Sequence, residues 1–181
     1  MTIDINENDL VAVICEGKVE EYIISILLER KVLIFGEEQL LDDELLPGKL
    51  RHGEYFKDKY LTSSHGKKIV ILIIADKKDK QGQLKISEDF MFQVKSINYI
   101  LTRPEIEMLM ILKLGLKDDY YKVKQSKKPS LYLKEKVDKK IKSEKFVRKF
   151  YEEHDIIECI DLYSKNSQKE KNIHELKDLL R

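Results

Sequence analysis

Ile69 to Ala75 is an unbroken run of seven apolar residues, and it ends on Asp76. A surface helix would break such a run with polar positions every third or fourth residue, and a half-solvated strand would alternate. A short, uninterrupted and largely β-branched run instead predicts a strand buried on both faces. That is the condition of parallel strands lying between layers of helices. Leu10 to Cys15 repeats the pattern. It passes at once through Glu16-Gly17 into Ile23, Ile26 and Leu27, whose spacing predicts an amphipathic helix to about Arg30. The opening therefore reads as strand, tight turn and helix.

The remainder extends the α/β reading. Val32 to Phe35 is expected as a short second strand, and 36–66 as a long connection carrying one helix. Lys77 to Gln83 reads as a polar loop and Ser96 to Leu101 as a further strand. Thr102-Arg103-Pro104-Glu105 is expected to start a helix, with Pro in the first turn. That helix runs through Met108, Leu109, Ile111 and Leu112, and Gly115 should stop it. Beyond a Tyr120-Tyr121 loop, a basic helix is expected over about 130–153, and a last amphipathic one near 168–180. The whole is read as a Rossmann-like, mainly parallel sheet flanked by helices over residues 1–115. A basic helical C-terminal part, 116–181, is expected to pack on it.

Charge is unevenly spread. Residues 1–46 hold three cationic and twelve acidic side chains, whereas 117–149 hold thirteen Lys or Arg against five acids. Such a split suits an anionic partner for the basic part, although a solvated helix face would look the same. The start of the chain, 1–8, is acidic and polar, opposite to a secretory signal, and no run approaches a membrane span. A cytoplasmic protein without membrane contact is expected. Cys15 and Cys159 lack metal or redox spacing and read as reduced, buried thiols. The four histidines show no ligand spacing, and neither a P-loop nor a Gly-x-Ser-x-Gly elbow occurs.

Ligands of open α/β sheets bind beyond the carboxyl ends of the strands. Three strand ends here carry acids: Glu16 with Glu20 one helical turn on, Asp76 with Asp79, and Glu105 with Glu107. Each alone has a plain structural explanation as a turn former or a partner of the helix dipole. Their conjunction fits a hard divalent cation, Mg²⁺ or Mn²⁺, which takes oxygen ligands and phosphate. Two such ions roughly 4 Å apart can polarise a phosphodiester.

Val13-Ile14-Cys15-Glu16-Gly17-Lys18-Val19-Glu20-Glu21 resembles the first toprim motif, in the Glu-Gly-x-x-Glu form of the overcoming-lysogenization-defect nucleases and RloB-like proteins of bacterial phage defence. Ile71 to Asp76 is similar to the approach to the second toprim motif. Arg103-Pro104-Glu105-Ile106-Glu107-Met108-Leu109 is similar to a segment downstream in RloB-like chains. The resemblance spans about residues 9–115. It departs at Asp76-Lys77-Lys78-Asp79, where toprim proteins usually carry Asp-x-Asp. It implies a metal-dependent nuclease with Glu16 as general acid or base, and with Glu20, Asp76, Asp79 and Glu107 holding metal. DNA or RNA would be the substrate, contacted by Lys127, Lys128, Lys139, Lys140 and Lys142, and a partner protein encoded with it is a further expectation. Two other readings stay open. One is a toprim-like binding subunit without catalysis, in which Lys77 and Lys78 beside the acids replace the cation, and the other is an unrelated α/β protein for a small phosphorylated ligand.

Overall fold

The computed structural model describes residues 3–77, 84–167 and 173–181. Its sheet has four strands, β1 (Leu10–Cys15), β2 (Leu46–Pro47), β3 (Ile69–Ala75) and β4 (Val94–Leu101). They lie in the order β2-β1-β3-β4, and every neighbouring pair is parallel. All seven residues of β3 are buried, as expected of a central strand with both faces covered. Ile14 and Ile73 are level across β1 and β3, as are Cys15 and Ile74. This register makes the residues that follow the two strands leave the sheet at one edge.

Alternation along the strands divides the core into two layers. Val11, Val13 and Cys15 of β1 and Val70, Leu72 and Ile74 of β3 point to one face. That face is covered by α1 (Lys18–Glu29), α4 (Met108–Lys113), α6 (Pro129–Lys136), α7 (Glu144–Glu153) and α8 (Ile156–Asn166), through side chains such as Ile23, Leu109, Leu133, Val147 and Ile160. Ala12, Ile14, Ile71 and Ile73 point to the other face. There they meet Leu50, α2 (Gly53–Phe56) with the π-turn that continues it to Leu61, and Phe90 of α3 (Glu88–Met91). Residues beyond 116 thus share one core with β1. The remaining helix, α5, spans Lys117–Tyr121.

Several expected elements are drawn differently. Val32–Phe35 is no sheet strand: Leu33 makes an isolated antiparallel bridge to Leu180, and Leu33 and Phe35 are buried by packing instead. The strand beside β1 is Leu46–Pro47, too short for a periodicity to register. The helix expected from Thr102 starts only at Met108, after turns at Glu105 to Glu107. Gly115, at φ 68°, follows its end as expected. Tyr120 and Tyr121 belong to α5 rather than to a loop. The basic helix is two helices, broken where Asp138 accepts from the Lys140 amide at 2.6 Å and Ser143 caps α7. Such short polar side chains compete with helix continuation. α8, begun by the Asp155 cap on the Ile157 amide, was not expected. The expected last helix falls partly outside the described residues, and its later part is a 3₁₀ turn at Leu176–Leu179. Among the described residues, no helix is long and apolar enough to cross a membrane.

Candidate active site

The strand order contains a reversal. The chain leaves β1 through α1 to the edge strand β2, then returns past β1 through α2 to β3, with the two connections on opposite faces. The point between β1 and β3 is therefore a topological switch point, where neighbouring connections diverge at the carboxyl edge. Glu16 and Asp76 flank it.

Glu16 is held from two sides. Its Oε2 accepts from the Asp76 backbone amide at 3.2 Å, and its Oε1 accepts from Arg51 Nη1 at 2.6 Å. Arg51 arrives on a 3₁₀ turn, Gly48–Arg51, that follows β2. That turn lies close against the end of β1, so a Cβ on Gly48 would sit 3.0 Å from the Glu16 carbonyl oxygen. Glycine permits the close approach. No motif pointed to Arg51 in the sequence, because its role depends on two residues of β2 pairing with β1.

The Asp76 carboxyl is raised above the ordinary range, first by burial and then by the Glu16 charge, with Lys77 and Lys128 opposing. Among the described residues, its Oδ1 is buried with no hydrogen-bond partner. Asp79 lies outside the described residues. Glu20, in the first turn of α1, is pushed up to about 7, chiefly by burial, with the Glu107 and Glu16 charges adding and Lys142 opposing.

Glu107 reaches the same edge from the turn between β4 and α4. It is 2% exposed, and its Oε1 lies 3.0 Å from Lys142 Nζ. Burial works to lower the Lys142 pKa, but the bond to Glu107 and the charges of Glu107, Glu105 and Glu20 outweigh it and raise it. Glu105 serves a structural end: its Oε2 accepts from the Ser130 amide at 2.9 Å, at the start of α6, with Lys128 at 3.9 Å. Four of the five acids expected to act together, Glu16, Glu20, Asp76 and Glu107, thus belong to one electrostatic neighbourhood.

The expected nucleic-acid lysines separate into groups. Lys142 and Lys128 are turned toward the acids, and Lys127 is paired with Glu135. Lys139 and Lys140 are exposed in the break between α6 and α7. Tyr120 and Tyr132 are buried against each other with ring centroids 5.4 Å apart. Tyr121 is 40% exposed, with Lys117 and Lys124 over its ring.

Among the described residues, no three His, Cys, Asp or Glu side chains stand together in an arrangement that could share one metal ion. The donors are all carboxylate, the type a hard cation takes, and among the described residues the Asp76 Oδ1 is buried without a partner, while both Glu16 oxygens are already engaged by Arg51 and the Asp76 amide. No family model, curated protein or solved structure matches the chain.

Proposed function

We propose that the chain is a toprim-like, metal-dependent phosphodiesterase acting on DNA or RNA. The observation that carries this reading is the meeting of Glu16 and Asp76 at the β1/β3 switch point, with a buried Asp76 oxygen unpartnered among the described residues. Burial raises the Asp76 and Glu20 carboxyls first, and the neighbouring carboxylate charges add to it, so a divalent cation there would relieve both costs. Asp76, with Glu16 beside it, would hold Mg²⁺ or Mn²⁺ together with water and the substrate phosphate. When bound, such an ion polarises a phosphodiester and stabilises charge on its oxygens.

The chain's own groups perform the rest. Glu16 keeps unused lone pairs on oxygens oriented by Arg51 and the Asp76 amide, so it can accept a proton from an attacking water. Arg51 lies beside it and offers further N–H donors to a phosphate. Lys139 and Lys140 leave their charges free to attract the backbone of the nucleic acid.

A melting curve with and without Mn²⁺, run beside cleavage assays on single- and double-stranded DNA and RNA, tests the reading. Metal at a hundredfold its dissociation constant should stabilise the fold by about 2.7 kcal/mol. Glu16→Gln should abolish cleavage while leaving the fold intact. A second reading, a non-catalytic binding subunit, is favoured by Arg51 on Glu16 and Lys142 on Glu107, two cations already placed among the acids. No metal-dependent shift together with no cleavage would establish that reading instead.

A further inference from the structure

Three tyrosines lie among the lysines of the 117–132 stretch, and packing treats them differently. Tyr120 and Tyr132 close on each other in the core, with ring centroids 5.4 Å apart. Tyr121 is left 40% exposed on α5, with its ring edge-on to Tyr120 at 6.1 Å, so the buried tyrosine fixes where the exposed one sits. Lys117 Nζ lies 5.4 Å and Lys124 Nζ 4.4 Å from the centre of the exposed ring. Lys117 is tied to Asn166 Oδ1 at 2.6 Å, whereas Lys124 is exposed and, among the described residues, makes no ion pair or hydrogen bond. Residues 117–128 hold five lysines against Asp118 and Asp119, and Asp119 is taken by Lys122 at 2.8 Å.

A short, ordered path joins this corner to the acidic edge. The Val123 amide donates to the Tyr120 carbonyl, and the Ser126 and Lys127 amides donate to that of Val123, so the chain turns tightly before α6. Lys128, at the N-cap of α6, lies 3.9 Å from Glu105, and its charge opposes the rise of the Asp76 pKa. The step from Tyr121 to Lys128 covers at most about 25 Å even if fully extended. A strand of several nucleotides held at Asp76 therefore reaches Tyr121.

We propose that Tyr121 stacks an unpaired base, with Lys124 and Lys128 on the flanking phosphates, so that the nucleic acid taken here is single-stranded. The proposal rests on the nucleic-acid part of the reading above and needs no bound metal. An exposed aromatic ring among cations suits a single strand because every unpaired base offers a π-face. In a duplex those faces are covered by neighbouring base pairs. Lys124 can leave the ring without breaking another contact, and a phosphate beside the stacked base takes its charge.

The test is fluorescence anisotropy in EDTA with labelled oligonucleotides, single-stranded and as a duplex of the same length. The parent should bind the single strand more tightly than the duplex. Tyr121→Ala should weaken single-strand binding by about 5- to 100-fold and duplex binding by less than about twofold. Tyr121→Phe keeps the stacking face and should stay within about twofold of the parent. Lys124→Gln should reduce the slope of log affinity against log salt by about 0.7, the value for one single-strand phosphate contact. Duplex bound as tightly as single strand, single-strand binding unchanged in Tyr121→Ala, or Tyr121→Phe as weak as Tyr121→Ala would each overturn the proposal. Duplex-only binding would do so while leaving the nucleic-acid reading standing. No binding of either form by the parent would sink that reading itself, and the proposal with it.

Discussion

Replacing Glu20 with Gln should make the metal-free protein more stable at pH 8 and nearly unchanged at pH 5. Glu20 is raised from an ordinary 4.5 to about 7, chiefly by burial. A group whose folded-state pKa is raised favours the folded state fully below its unfolded pKa, and that contribution is lost as pH rises through the folded value. The parent should therefore lose stability between about pH 4.5 and pH 7, and change little from this group above that. The shift corresponds to an upper bound of about 3.5 kcal/mol at roughly 1.4 kcal/mol per pH unit. Water reaches a partly buried site and reduces this, so about 1–2 kcal/mol is expected. Glutamine mimics the protonated acid and cannot ionise, so its curve should lack the decline. Urea denaturation in EDTA at pH 5, 6, 7 and 8 measures both proteins, and a slope near 2 kcal/mol per molar urea converts the gain to a midpoint increase of about 0.5–1 M at pH 8. Parallel curves across this range, or a Gln variant that is less stable at pH 8, would refute the reasoning. A gain obtained by deleting an acid would mean that the site holds Glu20 in a conformation that costs stability, as functional sites often do.

Gly53→Ala should destabilise the fold by roughly 1–3 kcal/mol, because a Cβ there would fall 1.8 Å from the Lys85 carbonyl oxygen and backbone must move; an unchanged melting temperature would contradict this packing. Asp9→Asn should lower stability near neutral pH by about 1–2 kcal/mol, read from chemical denaturation. Burial favours raising the Asp9 pKa, but the bonds from Lys95 and the Asn6 amide prevail and depress it. That contribution is present above about pH 4 and is lost as pH falls through the depressed value, so parent and variant should converge in acid.

The strands and the acids at their ends were legible in the chain for a physical reason. A strand buried on both faces has no polar position to spare, so Leu10–Cys15 and Ile69–Ala75 announce themselves as unbroken apolar runs, and the first polar residue after each marks the sheet edge. Gly115 likewise ended its helix by a local backbone preference. The elements misread were those whose burial comes from neighbours. Val32–Phe35 is apolar because it packs beside the Leu176–Leu179 turn, not because it pairs in the sheet. Leu46–Pro47 pairs in the sheet yet is too short to carry a pattern. Periodicity reports how one segment divides between core and water, and it is silent on which segment lies opposite. The same limit governs the site. That Glu16, Glu20, Asp76 and Glu107 could meet followed from strand ends, whereas Arg51 on Glu16 and Lys142 on Glu107 are separated by 35 residues in each case, across turns with no signature of their own. Tertiary structure alone decided which cations stand among the acids, because an ion pair depends on distance in space and a sequence records only distance along the chain.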